Sequence, residues 1–421
     1  MIQVRELLPG VTLRAFPAER FKQGFFSVQF LRPMCWEEVS LNALIPAVLL
    51  RGTERREDLR AITLHLDDLY GASVGALVRR IGDYQTVGLQ CGFVEDRFAL
   101  SGDRILEPMV DFLEELLLCP RRQGEEFFAP FVDSEKRNMI AAIEAERNDK
   151  RAYAMNQMMR QMCSADSYGI PRLGKKEQVE EITAAQLWQH YQVILAQSPV
   201  EIFYVGSGDV ELVARKFREM FGKIVRNYQP IPAQTPFRDG GGKNLEEVME
   251  VTQTKLVMGF VTDITNRQPE FAAMQVLNAL YGAGMTSKLF MQVREKMSLC
   301  YSIGSGYAGS KGIMTVSAGI DGDKEPVVRQ EILNQLEECV RGNIRPEELA
   351  AAKEAILSGL RGIYDSPGAI EGYETTAVIG GFPLTVDQYR MAVEQVDVAQ
   401  VMQAAKSLRL HTTYVLKGVE A

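Results

Sequence analysis

The feature that most constrains this chain is an order of elements that occurs twice, once on each side of a glycine-rich seam. Residues 226 to 248, "RNYQPIPAQTPFRDGGGKNLEEV", hold Pro230, Pro232, Pro236 and the run Gly240-Gly241-Gly242, with few apolar residues, and read as an interdomain linker. Before it, "FFSVQFLRP" (25 to 33) has the pattern of a strand, 39 to 50 of a helix, 58 to 71 of a second helix and 73 to 93 of a β-hairpin. After it, a strand (254 to 263), a helix (270 to 282), a helix (286 to 300) and a hairpin (301 to 321) follow in the same order. Matching features lie about 230 positions apart, which is the signature of a tandem duplication. Each half continues with long helical stretches and closes on a helix and a strand, "VEIFYVGSGD" in one and "TTYVLKG" in the other. Two α+β domains of one design are expected, 1–225 and 249–421, each a mostly antiparallel sheet covered by helices.

Composition narrows the function. The 421 residues are 46% hydrophobic and carry a net charge of -8, enough apolar material for large cores and no clustered basic surface for phosphate. Neither a nucleic-acid nor a membrane partner is expected: no stretch approaches the roughly 18 apolar residues of a span, and "MIQVRELLPGVTLRAF" lacks a signal-peptide core. A cytoplasmic location follows as the expectation. The cysteines at 35, 91, 119, 163, 300 and 339 form no CxxC pair and read as buried thiols.

The duplicated plan, together with "FMQVREKMSLCYSIGSGY" in the second half, resembles the M16 (insulinase, or mitochondrial processing peptidase-like) family of metallopeptidases, and the likeness extends over nearly the whole chain. It implies two tandem homologous domains of the LuxS/MPP-like metallohydrolase fold. Active members carry HxxEH on the first helix, just before a Gly-Thr pair that here is Gly52-Thr53. Counting back, the motif falls on Ala43-Leu44-Ile45-Pro46-Ala47. Zinc needs two imidazoles four residues apart on one helical face, with the glutamate between them as general base. Here two methyl groups, at Ala43 and Ala47, replace the imidazoles, and Pro46 occupies the base position, where it also removes a backbone donor and is expected to kink the helix. The family's third ligand corresponds to Glu135 in "SEKRNMI", and a lone carboxylate cannot hold zinc. The phrases "LIPAVLLRGT" (44 to 53) and "LDDLYGA" (66 to 72) are closest to bacterial members lacking the zinc motif. Proteins of that group accompany an HxxEH-bearing homologue, and some are associated with elongation factor P modification, both implications of resemblance alone.

No other metal set replaces the lost one. His65, His190 and His411 lie in three different elements without a second ligand at a useful spacing, and His65 and His190 read as helix-surface or capping residues. Glu144, Glu146 and Asp149 read as a solvated helix face. "GAGMTSKL" (282 to 289) lacks the order of a phosphate loop and reads as a helix break with Thr286 or Ser287 as the next N-cap.

The second half does keep polar groups that matter. Arg294 and Tyr301, in "REKMSLCY", match the family's arginine and tyrosine residue for residue, and the resemblance implies that they contact the substrate backbone near the scissile bond. A guanidinium and a phenol can both donate to a carbonyl oxygen that becomes negative in a tetrahedral intermediate. Two functions are therefore expected as alternatives: a non-catalytic, substrate-contacting subunit of a heterodimeric M16 metallopeptidase whose zinc sits in the partner, or a scaffold or peptide-binding pseudopeptidase with no part in cleavage.

Overall fold

A computed structural model describes residues 2–418, which pack as two compact units. The first comprises 1–144, 170–233 and 364–375; the second comprises 145–169, 234–363 and 376–421. The units therefore do not coincide with the sequence halves 1–225 and 249–421, because each includes a segment from the other half. The boundary falls inside the expected linker, whose last residues form a strand rather than free coil: "KNLEEV" alternates half-buried and exposed positions, the period of an edge strand.

In the first unit, β1 (Gln3–Leu8), β2 (Val11–Pro17), β3 (Gln23–Pro33), β4 (Ser73–Ile81), β5 (Tyr84–Val94) and β6 (Val200–Gly206) form a six-stranded sheet in the order β1-β2-β6-β3-β5-β4. Only β2 and β6 pair in parallel. Alternation along β3 sorts the faces. Phe26, Val28 and Phe30 join the core with the helices Val39–Leu49, Leu106–Leu118, Ala184–Gln197 and Val210–Gly222. Ser27 and Gln29 point to the other face, where they meet Glu371 of the 364–375 segment. The Glu371 side chain is fully buried and accepts from Ser27 Oγ, Gln29 Nε2 and Arg79 Nη1 at 2.8 Å each, and from Thr375 Oγ1 at 2.9 Å. A charge so enclosed is tolerable only because it is paired and fully hydrogen-bonded.

The second unit repeats the plan. Strands β7 (Lys243–Val248), β8 (Thr254–Val261), β9 (Ser302–Ala308), β10 (Ile313–Ile320) and β11 (Arg409–Lys417) give a five-stranded sheet in the order β7-β11-β8-β10-β9, with only β7 and β11 parallel. The helix Lys150–Met162 lies on this sheet: Tyr153, Met158 and Met162 cluster with Val257, Tyr414 and Leu416. A Cβ at Gly259 would come within 2.5 Å of Met162 Sδ, so glycine lets the helix approach β8. Among the described residues no helix is long and apolar enough to cross a membrane.

Most expected elements are present with shifted ends. Two departures matter. The sequence reading gave no element to residues 3–17, which form the β1–β2 hairpin about a Pro9-Gly10 turn with Gly10 at φ +71. Glu144, Glu146 and Asp149 do not share one helix face, because helix stops at Ala145 and restarts at Lys150, with Asp149 accepting from the backbone N–H groups of Arg151 and Ala152 as N-cap.

Candidate functional site

The degenerate motif sits on the helix Val39–Leu49, which continues through Pro46 without a break. Pro46 has no N–H to give the Asn42 carbonyl four residues back. Ala43 and Pro46 are buried, Ala47 is half-buried, and Ala43, Leu44, Ile45 and Val48 belong to the apolar core of the unit. Glu135 is committed elsewhere. One carboxylate oxygen lies 3.3 Å from Arg51 Nη1 and the other accepts from Asn138 Nδ2 at 3.1 Å. The positions that hold zinc in active relatives thus offer methyl groups, a pyrrolidine ring and a carboxylate already neutralised by a guanidinium, so they do not fit the metal. Among the described residues no group of three or more His, Cys, Asp or Glu side chains is arranged to hold an ion. Purified chain is expected to carry no stoichiometric zinc; elemental analysis finding one tightly held zinc per chain would contradict this.

The histidines have structural partners. His65 packs edge-on to Phe112 with ring centroids 4.8 Å apart. His190 Nε2 is 2.7 Å from Asn42 Oδ1, and burial lowers the pKa of its imidazole. His411 Nε2 is 2.8 Å from Asp239, which this hydrogen bond holds below the usual aspartate range.

Arg294 and Tyr301 belong to the second unit and are both accessible. The segment expected as an α-helix over 286 to 300 is wound as a π-helix from Leu289 to Lys296, with Met297 N–H donating five residues back to the Gln292 carbonyl. Ser287 Oγ accepts weakly from Phe290 N–H at 3.4 Å near its start. Arg294 rides on this π-turn with its guanidinium carbon 4.6 Å from the Phe290 ring centroid and a loose 3.8 Å contact to Glu295. Its side chain is 41% exposed. The chain then turns at Ser298, whose φ of +52 is a left-handed conformation uncommon for a residue with a Cβ. π-turns and such backbone outliers concentrate at functional sites, where an ordinary helix would aim a side chain wrongly.

Tyr301 follows directly, 57% exposed, with its backbone N–H bonded to the Gly319 carbonyl at 2.9 Å. Its hydroxyl donates to Asp321 Oδ1 at 3.0 Å, and this bond to a carboxylate raises the phenol above its ordinary pKa. Lys324 holds the other Asp321 oxygen at 2.9 Å and keeps the carboxyl ionised. Between the two residues lies Cys300, whose thiol burial pushes up to about 11 although the Arg294 charge opposes the rise. Such a thiol stays protonated and is no nucleophile at neutral pH. Asp321 was not evident beforehand, since no single-sequence signal marks it as Tyr301's partner before the hairpin register is known.

Comparisons agree with this geometry. Residues 181–356 match the family described as peptidase M16 inactive domain. A Bacillus subtilis (strain 168) protein named probable inactive metalloprotease YmfF is 28% identical over 98% of this chain and 96% of its own length. A conserved protein from Enterococcus faecalis V583 of known crystal structure superimposes with a TM-score of 0.92 at 27% identity, covering 99% of both chains. The peptidase M16 inactive domain from Pseudomonas fluorescens, at 17% identity, shares the fold with a TM-score of 0.82 over 100% of this chain and 98% of its own. The chain is thus similar to proteins described as inactive M16 peptidases: it shares their fold, and its residues 181–356 match their domain.

Proposed function

We propose that this chain is the non-catalytic, substrate-contacting subunit of a two-chain M16 metallopeptidase. The partner is an HxxEH-bearing homologue that supplies the metal and the general base; this chain supplies Arg294 and Tyr301. The observation that carries the reading is a contrast within one molecule. The motif helix is filled with apolar side chains, whereas Arg294 on its π-turn and Tyr301 just after the left-handed Ser298 are both exposed, with the guanidinium in only a loose contact to Glu295. A guanidinium resting on an aromatic face is pre-organised yet not consumed by a bidentate carboxylate, as a group meant to receive a peptide carbonyl should be. Co-expression with an HxxEH-bearing homologue followed by sizing is expected to give a 1:1 complex. Two independent peaks at micromolar concentration would count against it.

One observation favours the alternative of a scaffold or peptide-binding pseudopeptidase: Tyr301 already has Asp321 as a partner, which a purely structural tyrosine would also have. Asp321→Asn separates the readings. Weakening the hold on the phenol leaves a scaffold unaffected, but changes cleavage by the assembled pair if the hydroxyl serves the substrate.

A further inference from the structure

Next to Tyr301 the second unit presents two neighbouring cations, Lys255 and Arg151. Lys255 on β8 and Arg151, in the first turn of the helix Lys150–Met162, line a small notch together with Ser302, Ser317 and Gly319. Among the described residues, no carboxylate lies within ion-pairing distance of either cation. Lys255 Nζ donates instead to the neutral Gln253 Oε1 at 3.0 Å. Asp149, whose charge acts on Lys255, caps the helix with its Oδ1, which accepts from the N–H groups of Arg151 and Ala152 at 3.0 Å each. Partial burial and the Arg151 charge beside it lower the pKa of the Lys255 ammonium, against the opposing charge of Asp149.

The notch is kept open by the absence of a side chain. A Cβ on Gly319 would stand 3.0 Å from Ser302 Oγ and 3.3 Å from both Gln253 Oε1 and Lys255 Nζ. Gly319 has an ordinary backbone conformation there, so space rather than φ is what a larger residue would lack. The same Gly319 accepts the Tyr301 backbone N–H and pairs with Ser302 across the hairpin, which sets the notch against the candidate substrate-contacting tyrosine.

We propose that this notch is a carboxylate subsite, taking an aspartate or glutamate side chain, or a terminal carboxylate, of the peptide whose backbone meets Tyr301. This rests on the reading of Arg294 and Tyr301 as substrate-contacting groups. Lys255 and Arg151 supply charge-assisted hydrogen bonds and Ser302 a neutral donor, the combination a carboxylate needs when it leaves water.

The test is fluorescence anisotropy on the full chain with labelled ten-residue peptides of neutral sequence. One set carries a single glutamate, glutamine or lysine at successive positions with an amidated C-terminus; a second ends in a free carboxylate at successive lengths. Glutamate at one position, or the free end at one length, is expected to tighten binding on the order of tenfold over its neutral counterpart, and which set responds identifies the source of the carboxylate. Lys255→Gln and Arg151→Gln are each expected to reduce that preference and together to abolish it, leaving neutral-peptide binding unchanged, whereas Tyr301→Phe weakens all peptides alike. Equal binding of acidic and neutral peptides, with Tyr301→Phe still weakening both, would overturn the subsite and leave the substrate-contact reading standing. Absence of binding by every peptide would overturn both.

Discussion

Replacing Asp166 by alanine is expected to destabilise the second unit by ~3–5 kcal/mol, the range for leaving one member of a buried ion pair without its partner. Asp166 and Lys311 have side-chain exposures of 1% and 0% and meet at 3.1 Å. The aspartate also accepts the N–H groups of Tyr168 at 2.8 Å and Arg238 at 2.9 Å, and the lysine donates to the Thr235 carbonyl at 3.0 Å. Truncating Asp166 strands a buried ammonium and two backbone donors together, and each loss carries its own desolvation cost. Urea denaturation should show a lower midpoint at unchanged slope. The double variant Asp166→Leu/Lys311→Met should recover only the part due to the stranded ammonium, since an apolar pair can replace a buried salt bridge but leaves the two backbone donors unpaired. A loss under about 1 kcal/mol for the single variant, the range of an exposed pair, would show that water reaches the site.

The second large effect concerns turnover by the assembled pair. Arg294→Ala and Tyr301→Phe are each expected to slow peptide cleavage on the order of 10²-fold, or about 3 kcal/mol of transition-state stabilisation, the typical cost of removing one preorganised donor. Stability should change little, because Arg294 is 41% exposed and its Glu295 contact is loose, while Tyr301 is 57% exposed. The loss should therefore appear in kcat/KM, with association of the two chains near wild type. Wild-type rates in both variants would assign the pair a structural role and favour the scaffold reading. The control is the glutamate of the proposed HxxEH-bearing partner changed to glutamine, which is expected to abolish cleavage outright.

The fold was legible in the sequence to the extent that its signals are local. β3 and β8 alternate, the helices after them are strongly apolar, and both hairpins have adjacent strands, so the repeat could be read by spacing. Long-range packing was not legible. Nothing in "KRAYAMNQMMRQM" says that its methionines will lie on β8, and Glu371, between Ile370 and Gly372, has the composition of a surface residue although its side chain is fully buried. The π-winding of Leu289–Lys296 was also hidden, because a short apolar period suits an α-helix equally well. At the site, the loss of zinc ligands was visible as Ala43, Pro46 and Ala47, since ligand chemistry depends on residue type. The occupation of Glu135 by Arg51 and Asn138, and of Tyr301 by Asp321, depends on geometry and needed coordinates.

The central claim is that this chain completes a peptidase site which it cannot form alone. The most direct measurement is the rate of peptide cleavage by a fixed amount of the HxxEH-bearing homologue as this chain is titrated in. The expected result is no cleavage by this chain alone, little by the homologue alone, and a rate that climbs and saturates at one equivalent. A homologue that is fully active alone, with a rate unchanged by any amount of this chain, would contradict it.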